Sequence, residues 1–160
     1  MPVHNIPPVY DKNSRILILG SFPSVRSRAD EFFYAHPRNR FWQVISAVYE
    51  CPLPCSVQDK KQLLLGNNIA LWDVIARCSV TGSSDMSIKN AEPNDIGVII
   101  RDANIQKIIL NGKTAEKYYN RLVFPSTGIR CECLPSTSPA NAAIKTEELI
   151  KIWKNSLLNS

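Results

Sequence analysis

The sequence has no long hydrophobic run, and none of its apolar stretches approaches the ~20 residues that a helix needs to cross a bilayer. The N-terminal segment, MPVHNIPPVYDKNSR, also lacks the charged-then-apolar pattern of an export signal. We therefore expect an intracellular protein that does not associate with membranes.

The cysteines follow no disulfide or metal-binding pattern. They are five, an odd number, which argues against a disulfide framework in a chain without a visible export signal. Their C-x3-C and C-x-C spacings differ from the C-x2-C pairs of zinc and iron–sulfur sites. No metal-binding pattern and no paired-carboxylate arrangement for acid–base catalysis stands out elsewhere in the chain. We expect free thiols, no metal ion and no cofactor.

The length and charge of the chain set limits on domain number and partner. A chain of 160 residues fits one domain, and no internal repeat or linker is visible. We expect a single domain over residues 1–160, in which residues 1–14 form a proline-rich N-terminal arm. The formal net charge of +5 permits a polyanionic partner but does not require one.

Short apolar runs alternate with helical patterns along the chain. The apolar runs predict four strands, at Arg15–Gly20, Ile69–Val74, Lys107–Leu110 and Ile129–Leu134. Helical spacing predicts helices over Phe41–Glu50, Val57–Leu65 and Glu147–Leu158, with two further helices that end at Arg101 and Arg121. This alternation is typical of an α/β protein. We expect a three-layer α/β/α sandwich with a central four-stranded, mostly parallel sheet.

Polar loops follow three of the predicted strands, over Ser21–Asn39, Cys78–Ser87 and Ser136–Asn141. The carboxyl ends of parallel strands lie at one edge of the sheet, where open α/β sheets place their ligand sites. We expect the three loops to converge on one cleft lined by aromatic, hydroxyl, amide and arginine side chains. Such a lining suits a flat, polar, anion-linked ligand such as a nucleotide.

Three strings of residues carry a family resemblance. G-S-F-P follows the first predicted strand, H-P-R-N-R-F-W comes later in the same loop, and L-P-S-T-S-P-A-N follows the last strand. In this order they resemble the uracil-DNA glycosylase superfamily, and especially its hypoxanthine-DNA glycosylase branch. The resemblance implies an enzyme of base excision repair that flips a deaminated base out of DNA and hydrolyses its N-glycosidic bond.

Two positions depart from the superfamily pattern. Phe22 stands where the superfamily usually has an Asp or Asn that activates water, and Leu134 stands where a His or Asn often precedes Pro-Ser. The hypoxanthine branch shares both losses and assigns catalytic work to a downstream Asn, which matches Asn39. We therefore expect Asn39 to orient the attacking water through its amide oxygen. The alternative is that Asn39 caps the helix that starts near Phe41.

The other candidate residues form two groups. The first surrounds the first loop and the end of the second strand, and it is expected to form the base pocket: Gly20, Ser21, Phe22, Pro23, Phe33, Tyr34, His36, Trp72 and Asp73. The second is expected to contact DNA, through phosphates or as a wedge: Ser24, Arg26, Arg38, Lys113, Ser136, Thr137, Ser138, Pro139, Ala140 and Asn141. Arg40, like Arg38, is either a phosphate contact or a salt-bridge partner, and Asp73 serves the base, serves the water, or caps a turn.

The expected reaction is hydrolysis without strand cleavage, because no lysine stands out as a Schiff-base nucleophile. Deoxyinosine is the favoured substrate, followed by uracil or xanthine, and a monomer is expected. Two alternatives stay open. Phe22 in place of the usual acid favours a catalytically silent binder of damaged DNA or abasic sites, and the pocket would also suit an enzyme acting on a free nucleoside or nucleotide.

Overall fold

The computed structural model of the protein describes residues 3–79 and 88–158. The strands in these ranges are β1 (Ile16–Gly20), β2 (Ile69–Asp73), β3 (Ile75–Ser79), β4 (Lys89–Pro93), β5 (Lys107–Asn111) and β6 (Cys131–Leu134). Four of them form a parallel sheet in the order β2-β1-β5-β6, and β3 pairs with β4 in a separate antiparallel hairpin. The predicted four-stranded sheet is confirmed.

The helices in the described ranges connect these strands. They are α1 (Val25–Asp30), α2 (Phe41–Val48), α3 (Val57–Gly66), α4 (Ile96–Asp102), α5 (Lys113–Tyr118), α6 (Phe124–Thr127) and α7 (Thr146–Leu158). A π-helical turn, Tyr119–Val123, joins α5 to α6, and a 3-10 turn covers Pro139–Asn141. None of the helices found in this part of the chain combines the length and apolar character required to cross a membrane.

The two faces of the sheet bury alternate residues of each strand. Ile18 of β1 packs in one hydrophobic core with Phe41 of α2 and Trp153 of α7. Its neighbour Leu19 packs in a second core with Ile99 of α4. Because successive side chains point to opposite faces, a strand covered by helices on both sides must be apolar throughout. This explains the uninterrupted apolar run of β1 and confirms the three-layer sandwich.

The N-terminal arm is part of the sheet edge. Val9 exchanges two backbone hydrogen bonds with Leu71 of β2, at 3.0 and 2.9 Å, and Val3 forms a bridge with Arg77 of β3. Ile6 and Val9 are buried. Since β2 is an outer strand, the arm covers an edge that would otherwise leave backbone groups unpaired.

The β3–β4 hairpin was not predicted. Cys78, expected to begin a polar loop, lies buried in β3, and the rest of that predicted loop, residues 80–87, lies outside the described residues. Glu92, expected to begin a helix, lies in β4, and α4 starts only at Ile96. β4 is mostly exposed and polar, so its sequence shows no alternation of apolar residues that would predict a strand. An Arg77–Glu92 ion pair of 3.0 Å joins it to β3.

Two helical segments also differ from the prediction. The first loop contains α1, whose N-terminus is capped by Ser24 through a 3.1 Å hydrogen bond from the Ser27 backbone. The helix expected to end at Arg121 continues through the π-helical turn into α6 and ends at Gly128 in the left-handed region. A Pro normally interrupts a helix, but Pro125 stands in the first turn of α6, where its missing N–H is tolerated.

The cysteines are free thiols, as their spacing predicts. Cys131 and Cys133 lie two residues apart on β6. Burial, with a smaller contribution from the neighbouring Glu116 carboxylate, raises the pKa of the Cys133 thiol to about 11. This thiol therefore stays protonated at neutral pH, and a protonated thiol is a poor nucleophile.

Candidate functional site

A cleft of about 590 Å³ opens at the carboxyl edge of the parallel sheet, between the loops that follow β1 and β6. Its volume falls in the range of roughly 300–1,000 Å³ that is typical of small-molecule sites. The predicted site residues that line it are Gly20, Ser21, Phe22, Pro23, Ser24, Phe33, Tyr34, His36, Asn39, Asp73, Ser136, Thr137, Ser138, Pro139 and Ala140. Ser27 and Asn111 also line it and were not predicted, and Thr114 lines it beside the predicted Lys113.

Two other clefts have similar volumes, about 620 and 630 Å³. One lies between β6 and α7, and the other lies near the start of β1. Neither contains a predicted site residue, so the position and composition of the first cleft distinguish it rather than its size.

Aromatic rings form one side of the cleft. Tyr34 stacks on Phe41 with ring centroids 4.2 Å apart and an interplanar angle of 24°. Its backbone φ is +53°, in the left-handed region that bulky residues rarely adopt. The guanidinium of Arg28 lies 5.4 Å from the centroid of the Phe22 ring. These rings suit a planar heterocycle, as the sequence predicted for a nucleobase.

Asp73 supplies the carboxylate that lines the cleft, and no other Asp or Glu does so within the described ranges. It ends β2 directly beside Gly20, the last residue of β1. A Cβ on Gly20 would collide with Asp73 Oδ1 and would come within 2.8 Å of the Tyr34 hydroxyl. Gly20 is therefore needed for close approach, because it leaves room for a carboxylate oxygen and a phenol above its Cα.

The second carboxylate oxygen of Asp73 is held by a residue that sequence reasoning missed. His4 Nε2 lies 2.8 Å from Asp73 Oδ2, and the two side chains are only 2% and 5% exposed. His4 Nδ1 accepts a 3.2 Å hydrogen bond from the backbone N–H of Ile6. Since a backbone N–H can only donate, Nδ1 carries no hydrogen, and Nε2–H donates to Asp73. No local pattern could have signalled this pair, because its members lie 69 residues apart.

Asn39 lines the cleft, but its amide oxygen is occupied. Oδ1 accepts from the backbone N–H of Phe41 at 2.9 Å and from the Thr137 hydroxyl at 2.8 Å. Both lone pairs of the oxygen are used, so the expected contact between this oxygen and water is not available. The backbone donor also fixes which end of the amide is oxygen. Nδ2 has no hydrogen-bond partner among the described residues, so Asn39 offers the cleft a donor.

Thr137 is fully buried and connects Asn39 to β5. Its backbone N–H donates to Asn111 Oδ1 at 3.0 Å, and its hydroxyl accepts from Asn111 Nδ2 at 3.0 Å. Because its hydroxyl and N–H are both committed inside the protein, Thr137 is not available for the phosphate contact expected from the sequence. It instead positions Asn39. Asn111 was missed because it ends an apolar strand and carries no motif.

Arg40 fastens the two cleft loops together. Its guanidinium donates to the carbonyl oxygens of Ile144 at 2.8 Å and Asn141 at 3.1 Å, and its backbone N–H donates to Thr137 O at 3.1 Å. Arg40 is therefore a structural clamp between the H-P-R-N-R-F-W string and the loop after β6. It forms no salt bridge within the described residues, and the expected phosphate contact stays a prediction.

Other predicted residues lie at the rim of the cleft or outside it. Trp72 does not line the cleft: it precedes Asp73 on β2 and donates its indole N–H to the Ile6 carbonyl at 3.1 Å. Strand neighbours point to opposite faces, so Trp72 and Asp73 cannot share one pocket. Asn141 turns inward and donates to Ser136 O at 3.0 Å.

The predicted basic contacts lie on the surface. Arg26 is exposed and forms a 2.7 Å ion pair with Asp30 one helical turn away. Arg38 and Lys113 are exposed, and neither side chain has an ion-pair partner within the described residues. His36 accepts the Arg38 backbone N–H on Nδ1 at 3.1 Å, which leaves its other ring nitrogen for a ligand or solvent.

Comparison with known proteins points to one family. The model of the uracil DNA glycosylase superfamily matches residues 7–157. A hypoxanthine DNA glycosylase of Methanosarcina barkeri is 33% identical over 143 residues, which cover 88% of this chain and 89% of the relative. Another of that name, from Methanosarcina acetivorans, is 36% identical over 137 residues, covering 84% and 85%.

A solved structure agrees with the sequence relatives. It is a solution NMR structure of a Methanosarcina acetivorans protein that carries the provisional name uracil DNA glycosylase. It matches 96% of this chain and 95% of its own chain, with a TM-score of 0.82 and 30% sequence identity.

Proposed function

The chain belongs to the uracil DNA glycosylase superfamily, and on that premise we propose that it is a monofunctional DNA glycosylase that releases deaminated bases, with deoxyinosine favoured. The names of its two curated relatives support hypoxanthine as the base. The observation that carries the proposal is that one aromatic-lined cleft contains both a buried carboxylate, Asp73, and an amide donor, Asn39.

Asp73 reads the edge of the flipped base. An ionised carboxylate only accepts hydrogen bonds, and His4 already occupies Oδ2, so Oδ1 is the atom offered to the base. Hypoxanthine carries N1–H next to its carbonyl, whereas adenine has a lone pair at N1. Uracil has the equivalent N3–H where cytosine has a lone pair. An acceptor at this point therefore favours these deaminated bases over their parent bases, because the parent lone pair would face a carboxylate.

Asn39 stabilises the leaving base. When the C1′–N9 bond breaks, its electron pair stays on hypoxanthine, and a donor aimed at that charge lowers the barrier. Asn39 Nδ2–H is such a donor, and the bonds from Phe41 and Thr137 to Oδ1 hold it in place. It substitutes for the donor that the superfamily often carries at the position of Leu134.

Water completes the reaction without a dedicated base. Its oxygen bonds to C1′ of the oxocarbenium-like sugar, its proton passes to solvent or to the departing base, and an abasic site remains. Phe22 occupies the position of the usual water-activating acid, and Asp73 is committed to the base. We therefore expect slow turnover, sustained because hypoxanthine is acidic enough to leave as an anion.

The macromolecular partner is DNA. Ser136 and Ser138 at the cleft are proposed phosphate contacts, together with the exposed Arg38 and Lys113, which directly precede the cleft residues Asn39 and Thr114. The 3-10 turn Pro139–Asn141, with Ala140 exposed, is the proposed wedge into the gap left by the flipped base. One chain supplies the whole cleft, which supports action as a monomer on the cell's DNA.

Oligonucleotides test the reaction directly. Duplexes and single strands carrying one deoxyinosine, deoxyuridine or deoxyxanthosine are incubated with the protein, and abasic sites are then cleaved with alkali. We expect release of hypoxanthine and intact strands before the alkali treatment. No release of any deaminated base would overturn the proposal. Lesion-selective binding without release would identify the silent damage binder instead.

Variants of Asp73 separate base reading from water activation. Asp73→Asn has a single acceptor oxygen for two donors, His4 Nε2–H and the base, so we expect single-turnover excision of hypoxanthine to fall about as far as in Asp73→Ala. Asp73→Ala removes the acceptor, and loss of a hydrogen bond to a charged group corresponds to a fall of roughly 10–150-fold. If Asp73→Ala lowers excision but leaves the ratio of dissociation constants for inosine-containing and adenine-containing DNA unchanged, Asp73 activates water and the base-reading role is wrong.

A further inference from the structure

We propose that His4 is a positioning residue of the active site, which holds the Asp73 carboxylate so that Oδ1 faces the base as a fixed acceptor. The inference rests on the proposed function of the cleft. It assigns a site role to the N-terminal arm, a segment that neither motif nor spacing connects to the chemistry.

The first support is the geometry of the pair. Asp73 Oδ2 and His4 Nε2 are 2.8 Å apart, and both side chains are almost wholly buried. A buried carboxylate that lost this partner would leave an oxygen without a hydrogen bond, and the side chain would be free to rotate. With Oδ2 held, rotation of the carboxylate is blocked and Oδ1 stays above Gly20.

The second support is the direction of the hydrogen bond. The Ile6 backbone N–H occupies Nδ1 of His4, so the ring presents Nε2–H to Asp73. The carboxylate therefore receives a hydrogen and does not need to carry one. It remains an acceptor toward the cleft, which is the property needed to recognise the N1–H of hypoxanthine.

The third support is the way the arm holds His4. The ring lies 6.1 Å from the Phe33 ring and 6.3 Å from the Phe22 ring, and both of these line the cleft. The His4 backbone N–H donates to Ala76 O at 2.6 Å, and Trp72 donates its indole N–H to Ile6 O at 3.1 Å. The arm thus forms the layer directly behind the pocket wall.

Two substitutions separate positioning from simple packing. His4→Gln places an amide N–H near the position of Nε2 and keeps the donor to Asp73, but it loses the acceptor for Ile6. His4→Asn places an amide oxygen near Nδ1 and keeps the acceptor for Ile6, but it is too short to reach Asp73. A positioning role predicts that Gln retains activity and Asn does not, whereas a role limited to folding the arm predicts the reverse order.

The readouts are the single-turnover rate of hypoxanthine release, the dissociation constant for undamaged DNA and the thermal midpoint. We expect His4→Asn to lower the rate about 10–100-fold, as loss of a partner that orients a site group typically does. We expect the rate of His4→Gln to stay within about fivefold of the wild-type rate. Neither variant should change the affinity for undamaged DNA. The control is Tyr10→Phe, which removes a 2.7 Å hydrogen bond to Asp102 elsewhere on the arm and should leave the rate unchanged.

A double-mutant cycle shows whether His4 acts through Asp73. In an Asp73→Ala background, His4→Asn should change the rate less than about threefold, because the group it positions is gone. A full effect of His4→Asn in that background would overturn the proposal. Equal losses of excision rate in His4→Asn and His4→Gln, together with a lowered thermal midpoint in both, would overturn it as well.

Failure of this inference is distinguishable from failure of the proposed function. If the wild type releases no base, the proposed function fails. The same variants are then compared by the ratio of their dissociation constants for inosine-containing and adenine-containing DNA. In that case a ratio raised toward one by His4→Asn and preserved by His4→Gln supports the positioning role, and an unchanged ratio overturns it.

Discussion

At the scale of single residues, Asn39 shows how a fold decides which atom of a side chain is available. Taken alone, an Asn offers both an acceptor and two donors. Here the Phe41 backbone and the Thr137 hydroxyl occupy the oxygen, so only the NH₂ group remains for a ligand. Both of the roles expected for Asn39 are thereby modified: it supports the start of α2, and it faces the cleft as a donor.

The substitution Asn39→Asp tests this assignment with little change in shape. The carboxylate keeps an oxygen for Phe41 and Thr137, so the free energy of unfolding should change little. It replaces the donor with an oxygen, and loss of a donor to a developing anion lowers rates by about 10²–10³-fold. Single-turnover excision of hypoxanthine measures the effect. Retained or increased activity would show that Asn39 works as an acceptor or base.

Gly20→Ala tests the close approach above β1. The new Cβ would meet Asp73 Oδ1 and the Tyr34 hydroxyl, and both belong to the proposed base pocket. We expect a loss of about 1–3 kcal/mol of stability, as for other overpacked sites, together with a large loss of excision. Chemical denaturation and the alkaline cleavage assay measure the two effects.

The matched control is Gly66→Ala at the end of α3, where a Cβ meets no atom within 4 Å. This change should stabilise the protein by about 0.4–1 kcal/mol by restricting the unfolded chain, and it should leave excision unchanged. Equal behaviour of the two variants would contradict the steric argument.

At the scale of elements, the site depends on two loops that are joined before any ligand binds. The H-P-R-N-R-F-W string and the loop after β6 lie about a hundred residues apart in sequence, yet Arg40 reaches Ile144 over a separation of 104 residues. Thr137 adds a second connection, over 98 residues, to Asn39. The two motifs therefore form one structural unit, which explains why they act together in a cleft that neither could build alone.

A pair of arginine variants tests whether Arg40 joins the two loops and Arg38 contacts DNA. Arg40→Met removes the guanidinium hydrogen bonds to Asn141 and Ile144 and should cost about 1.5–3 kcal/mol of stability, with a lower excision rate. Arg38→Met, two residues away and exposed, should leave stability unchanged. It should weaken DNA binding and reduce the salt slope by about 1, as expected for a phosphate contact. Denaturation curves measure the stability of the two variants, and binding at several salt concentrations measures their DNA contacts. Equal behaviour of the two variants in both measurements would contradict the assignment.

At the scale of the whole molecule, the excess of positive charge favours binding to a polyanion such as DNA. Nineteen Lys and Arg residues against fourteen Asp and Glu residues give a net charge of +5. Release of counterions from DNA makes the affinity of such a protein fall steeply with salt concentration. An enzyme that acts on a free nucleoside would not show this dependence.

We expect the affinity for a deoxyinosine duplex to fall roughly a hundredfold between about 50 and about 200 mM salt, which corresponds to about four phosphate contacts. Fluorescence anisotropy measures the affinity, and kinetics with free inosine provide the comparison. Efficient hydrolysis of free inosine, with no dependence on salt, would favour the nucleoside enzyme over the DNA enzyme.

The sequence by itself determined the layers of the fold and the position of the cleft. Apolar runs such as Ile16–Leu19 show burial on both faces. The spacing that predicts a helix over Val57–Leu65 is confirmed by α3, whose start is capped by Ser56 through a 3.0 Å bond from the Asp59 backbone. These signals are local, because periodicity and capping depend on residues a few positions apart. They were sufficient to predict the parallel sheet, the three layers and the edge where two of the three loops meet.

Only the tertiary structure decided what each side chain in the cleft can do. His4 reaches Asp73 across 69 residues, and Thr137 occupies the oxygen of Asn39 across 98. The polar strand β4 likewise exists only because β3 pairs with it. Hydrogen bonds of this kind depend on the approach of distant segments, which leaves no periodic trace in the sequence. The sequence therefore indicates where the candidate site lies, and the folded molecule determines which atoms face the cleft.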